Sequence, residues 1–316
     1  MASCGCHHTI AVTEDGALWA WGTGDHGQLG RNSREHSMHP VRVGGRERFG
    51  GANVVMAAAG HNHTAATTED GSLWMWGDGG RGQLGLDDDE PRLTPTRLAA
   101  FGGPVLMVAC GASHTIALCS GRVWTWGDGT KFQLGHGDRD DRFTPAMVEH
   151  ELGQEICMVA ACADYSVAVS YASPPGLVWT WGDGGAGCLG TGDRNDRHLP
   201  AKIDPEAFRG SPVFVVAAGD LHCLAVTADG TLYAWGLEGL LGLGGSFDND
   251  RLRPTCVQAF RGARVVFAAA GGRHTLCITQ VCSFCICVQL SSNPLMLFPG
   301  HREIVIDYSV FEHAKN

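Results

Sequence analysis

Histidine is the residue type in this chain best suited to chemistry, because an imidazole can ligate a metal or carry a proton near neutral pH. His8, His63, His114, His222 and His274 each end the same local phrase, Gly-x-x-His, and a further copy has Cys162 and Tyr165 in place of its Gly and His. One histidine per copy places them on separate units, so they cannot gather around one metal or substrate. A hydrogen bond that fixes a turn or strand suits the pattern better, and these five are expected to be structural. Tyr165 replacing one of them without other disruption points the same way.

The acidic loops come next: 87–90 (DDDE), 138–142 (DRDDR), 193–197 (DRNDR) and 248–251 (DNDR). A calcium loop wants D-x-D-x-D-G with a Glu at its end, which none of them shows. Their mixed signs suit ion pairs between neighbouring units or solvated loops. Cys277, Cys282, Cys285 and Cys287 contain one C-x-x-C, but structural zinc usually takes two spaced pairs, and the flanks here are apolar (VCSFCICV). Buried thiols without metal are the expectation. Glycine-rich loops such as 77–80 precede no helix and carry no G-K-[ST], which argues against a nucleotide site. No Ser/His/Asp or Cys/His set has nucleophile spacing. The sequence therefore reads as having no catalytic residue, no cofactor and no metal.

The elements that position these residues announce themselves through tryptophan. LWAWG, LWMWG, VWTWG, VWTWG and LYAWG account for all 9 tryptophans, with Trp21, Trp76, Trp126, Trp181 and Trp235 spaced 50 to 55 residues apart. Leu-Gly follows each at a fixed offset, from Leu29-Gly30 to Leu243-Gly244, and then Pro40, Pro95, Pro145, Pro200 and Pro254. Such a period means an array of like units. In the second, an apolar run (53–60) leads to HTAATT, an Asp-Gly turn and SLWMWG, which is a hairpin signal. A fourth extended run begins at the proline, which suits an outer strand. Four antiparallel strands per unit, inner ones small and apolar and the outer one polar, make a β-propeller, and the Trp-Gly tryptophans are expected at blade-to-blade contacts.

G-x-x-H-T, D-G, Φ-x-W-G and G-Q-L-G in that order resemble the repeats of the regulator of chromosome condensation family, from residue 4 to about 280. The family usually forms a seven-bladed ring. Here the His-Thr strand occurs six times but the Trp-Gly strand five, and Met1–Cys4 looks unable to supply an apolar first strand. Five near-complete blades and a partial sixth are expected over 1–280. A divergent segment follows over 281–316, in which EIVIDYSV (303–310) alternates enough to finish blade six; the alternative is a C-terminus foreign to the family. An unfinished propeller would also offer strand edges for self-association.

The two residues inside each G-x-x-H vary while the frame repeats: Cys6-His7, His61-Asn62, Ala112-Ser113, Ala163-Asp164, Asp220-Leu221 and Gly272-Arg273. His7, His61, Asn62, Ser113, Asp164, Asp220 and Arg273 are the candidate partner-binding residues. In exchange factors of this family, acidic and His residues of these turns contact a small GTPase, and Asp164 and Asp220 are the matching acidic positions; no wedge insertion is seen. The family's plant ultraviolet-B photoreceptor branch has G-W-R-H-T where this chain has Gly271-Gly272-Arg273-His274-Thr275, which argues against light sensing. The resemblance implies a non-enzymatic protein-interaction scaffold. Its alternatives are an exchange factor or the propeller of a larger HECT-type ubiquitin ligase, although no HECT-like segment is present.

A net charge of −10 without a Lys/Arg run gives nothing to track a phosphate backbone, so no direct nucleic-acid binding is expected. The N-terminus lacks a secretory pattern and 276–298 is too interrupted to span a bilayer, pointing to the cytoplasm or nucleus and no membrane. The 13 cysteines read as small buried residues of a reducing compartment.

Overall fold

The computed structural model describes residues 1–149, 152, 155–171, 175–244 and 250–280, and the backbone of Cys285–Gln289 and Met296–Leu297. It is an all-β propeller of six sheets, each an antiparallel meander in chain order. In blade two the strands are Val54–Ala59, His63–Thr68, Leu73–Gly77 and Arg92–Leu98. Thr68 Oγ1 and the Ser72 amide both donate to Asp70 Oδ1, at 2.6 and 3.1 Å, and Gly71 takes φ 78°. The carboxylate and the glycine together close the hairpin, as the Asp-Gly phrase anticipates.

Blade one departs from expectation. Met1–Cys4 was read as unable to form its first strand, yet Ala2–Cys4 pairs with Thr9–Ala11. Three residues suffice because the Met1 amine also donates to the Val12 carbonyl at 2.9 Å. The sixth sheet holds Val265–Ala270 and His274–Thr279, beside which the backbones of Cys285–Gln289 and Met296–Leu297 take third and fourth place. The 303–310 segment, and Cys282 of the C-x-x-C, lie outside the described residues.

Two pattern assignments shift. Proline does not open the fourth strand; Pro40 stands fourth in Ser37–Arg42, beside a break in register between Ala20 and Gly22. On an outer strand, at a bulge, the missing N–H costs no ladder bond. In blade five the Leu-Gly at the fixed offset is the wrong one. Leu241 is 2% exposed and Gly242 has φ 66°, like Leu29 and Gly30 with φ 67°, so the loop after Trp235 is two residues shorter.

The core lies between blades. Trp76, Trp126, Trp181 and Trp235 are all 0% exposed, each packed with the preceding blade. A linker aromatic clamps the pair. Phe49 meets Trp74 and Trp76 edge-on at 5.6 and 6.4 Å, Phe101 meets Trp124 at 5.5 Å, and Phe208 meets Tyr233 and Trp235 at 5.3 and 6.1 Å. Leu152 joins the corresponding cluster in blade four. No helix of the described residues is long and apolar enough to cross a membrane.

Candidate functional site

The Gly-x-x-His turns stand on a polar code repeated between blades. Thr64 Oγ1 and Trp76 Nε1 both donate to the Gln28 carbonyl, each at 2.9 Å. His8 Nε2 lies 2.9 Å from the same Thr64 oxygen. The hydroxyl hydrogen is already given to the carbonyl, so the ring donates from Nε2 and is neutral. The pattern recurs with His63, Thr115, Trp126 and Gln83, and with His114, Ser166, Trp181 and Gln133. His222 reaches Thr275, whose hydroxyl donates to the Leu240 carbonyl. Burial lowers the pKa of His8, His114 and His222 to about 4 and of His63 to about 3.

The glycine of the phrase is needed for space. A Cβ at Gly60 or Gly111 would run into the ring of His63 or His114. Where the histidine is absent, the glycine is absent too. Tyr165 sends its hydroxyl into the next blade, to the Gly219 and His222 carbonyls at 2.9 and 2.7 Å. Cys162 occupies the glycine position, and Cys223 and Cys188 stand where the other interfaces have Thr or Ser and Gln or Leu. The exchange at 165, read from sequence as isolated, is one part of a four-residue change.

Two residues stand apart from the rest of the code. His274 is exposed and has no such hydroxyl among the described residues. Trp21 is partly exposed, and no acceptor for its Nε1 is found there either.

The same frame fixes the variable residues. The amides of Thr23, Asp78, Asp128, Asp183 and Leu237 donate to the carbonyls of His7, Asn62, Ser113, Asp164 and Leu221 at 2.8 to 3.0 Å. Backbone is thus clamped while side chains stay available. His7 and Arg273 are exposed; His61, Asn62, Ser113, Asp164 and Asp220 are partly exposed. Asp220 Oδ1 accepts from Cys162 Sγ at 3.3 Å, which ties it to the preceding blade. Asp164 has no side-chain hydrogen bond among the described residues. Its pKa is raised by burial first, then by the Asp128 and Asp183 carboxylates, against the pull of His61 and Lys131.

Ion pairs brace this array, although within the mixed-sign loops Arg142 pairs with Asp138 and Arg197 with Asp193 of the same loop rather than across blades. Arg81 joins Asp128 and Asp141 at 2.8 and 3.0 Å, Lys131 faces Asp183 at 3.6 Å, and Arg194 joins Asp250 at 2.7 Å. The Arg81, Lys131 and Arg194 pairs bridge neighbouring blades. Asp128 and Asp183 therefore have cationic partners close by, whereas Asp164, like Asp220, has no ion pair among the described residues.

An RCC1-like domain model matches residues 1–284. The chain belongs to the RCC1-like family. It is 36% identical over 281 residues to the Arabidopsis thaliana ultraviolet-B receptor UVR8, covering 88% of this chain and 50% of that protein. It is equally 36% identical to the human E3 ubiquitin-protein ligase HERC2, covering 88% of this chain but 6% of the ligase. The chain thus spans half or less of these relatives. Among solved structures, yeast RCC1 (Prp20) bound to Kap60 superposes with TM-score 0.77 at 23% identity, over 90% of this RCC1-like chain and 68% of that one.

Sequence reasoning missed the linker clamp. Its signal was present as an aromatic or Leu before Gly or Arg-Gly: Phe49, Phe101, Leu152, Phe208 and Phe260.

Proposed function

We propose that this RCC1-like propeller is a non-enzymatic scaffold that presents its Gly-x-x-His turns to a protein partner. The carrying observation is Asp164. Its backbone is clamped, its carboxylate has neither hydrogen bond nor ion pair among the described residues, and burial with two neighbouring carboxylates disfavours its charge. A group held against its own preference serves the fold poorly and suits recognition of a basic surface. His61, Asn62, Ser113 and Asp220 supply adaptable polar contacts around it, with His7 and Arg273 on the outlying turns. A protein partner is in keeping with the solved structure of yeast RCC1, which has this fold and is bound to Kap60.

A small GTPase is the second reading, favoured by the two acidic positions Asp164 and Asp220. Exchange works by loosening a bound nucleotide and asks for no catalytic acid or base on the propeller. The propeller of a larger ligase is a third context, since HERC2 matches at the same identity.

Hydrogen–deuterium exchange with a captured partner tests the surface. Slowed exchange over 61–62, 112–113, 163–164 and 220–221 is expected. Protection confined to the outer strands would contradict the assignment. Faster nucleotide release from a captured GTPase would select the exchange-factor reading.

A further inference from the structure

Blade five breaks a cross-strand pairing that its neighbours keep. Between third and fourth strands, Trp19 faces Arg42, Trp74 faces Arg97, Trp124 faces Met147 and Trp179 faces Lys202. In blade four the Lys202 ammonium sits 5.9 Å from the Trp179 ring centre. A long side chain thus stands opposite an indole each time. Blade five pairs Tyr233 with Cys256. Phenol for indole, and thiol for a long side chain, leave room beside the sheet. A cavity of about 400 Å³ lies there, lined in part by Arg209, Tyr233, Arg251, Thr255, Cys256 and Gln258.

The polar groups of this cavity are unequally committed. Arg251 Nε is paired with Glu238 at 3.3 Å. Arg209 has no ion pair and no side-chain hydrogen bond among the described residues. It closes the short turn Pro205–Phe208 in a left-handed conformation, φ 55°, which fixes its Cα at the cavity rim. Tyr233 is 3% exposed and braced edge-on by Phe208, yet its hydroxyl has no partner among the described residues. Burial raises the pKa of that phenol, and Arg209 lies close enough to pull it back against Cys256 and Asp229. One free guanidinium and one free phenol O–H therefore meet in a recess, on a protein whose net charge is −10.

We propose that this outer cavity of blade five binds a phosphate group, free or carried on a phosphorylated side chain. Arg209 would supply a forked, charge-assisted pair of N–H donors, and Tyr233 would donate its O–H to a further oxygen. The recess has room for such a group together with part of the chain that carries it. The site is separate from the Gly-x-x-His turns and does not depend on their role.

Protection of Cys256 is the test. The folded chain is treated with iodoacetamide, with and without inorganic phosphate, and labelling is read by peptide mass. Phosphate should slow Cys256 labelling by about threefold or more while the exposed Cys4 and Cys6 label at unchanged rates. Arg209→Ala should abolish protection, and Tyr233→Phe should weaken phosphate affinity by about three- to tenfold. Tyr233→Trp, which restores the indole of the other blades and removes the phenol O–H, should weaken phosphate affinity at least as much as Tyr233→Phe. A phosphoserine peptide that protects about tenfold better than inorganic phosphate would identify a phosphorylated side chain as occupant; equal protection would identify the free ion. No protection in the wild type, or undiminished protection in a folded Arg209→Ala protein, overturns the proposal.

Discussion

Each bridging histidine acts as a neutral donor, and the fold depends on its staying neutral. The folded pKa values, about 4 for His8, His114 and His222 and about 3 for His63, lie below the 6.5 of the free side chain. The unfolded chain therefore binds more protons between those limits. The stabilisation is complete above pH 6.5 and is lost as pH falls toward 4, by up to about 1.4 kcal/mol per pH unit for each histidine. Thermal midpoints measured from pH 7 to 4.5 should fall steeply. His63→Gln should begin lower but fall less steeply, because one proton fewer is taken up; an unchanged slope would show that His63 does not titrate this way. Asp164 has the opposite sign, since its folded pKa is raised. Asp164→Asn should leave the midpoint at pH 7 equal or higher, and a marked drop would mean that the carboxylate holds the turn.

Among the elements, the interface between blades four and five is the informative exception. Tyr165→His alone should be strongly destabilising, because the ring would meet the side chain of Cys162 where other blades have glycine. Adding Cys162→Gly should recover part of the loss, with a coupling energy of about 0.5–3 kcal/mol in a denaturant-melt double-mutant cycle. Additive effects would show that the two positions are independent. Much of this level was legible in the sequence. The Asp-Gly turns locate hairpins because backbone geometry demands those residues locally, and the Trp-Gly and His-Thr strands stand out because nearly every interface repeats the same bonds. The errors arose where geometry is set by a neighbour. Ala2–Cys4 forms a strand because Thr9–Ala11 is there to pair with, and the Leu241-Gly242 loop is recognised by the carbonyl of Leu240 that Thr275 finds. The Phe49 clamp likewise becomes visible only once two tryptophans of the next blade close over it. Of the candidate site, the frame could be read but not the inequality between Asp164 and Asp220, since the bond from Cys162 crosses 58 residues.

At the scale of the whole molecule, stability is held between blades, and the recognition proposed above falls on the turns. Trp126→Ala removes a fully buried indole and should cost about 3–5 kcal/mol, lowering the thermal midpoint sharply. Trp21→Ala should cost clearly less, since Trp21 is partly exposed; equal losses would show that blade one is packed like the others. The division of labour also says which substitutions spare the fold. Asp220 is tied to Cys162, whereas the Asp164 carboxylate has no bond among the described residues, so Asp164→Ala is the variant expected to separate binding from folding. The decisive measurement is the affinity of the captured partner for wild-type and Asp164→Ala proteins across a salt series. With thermal midpoints matched, the variant should bind several-fold more weakly at low salt, and the two curves should converge as salt screens the carboxylate. A folded variant that binds with wild-type affinity at every salt concentration would contradict the assignment of this face to partner recognition.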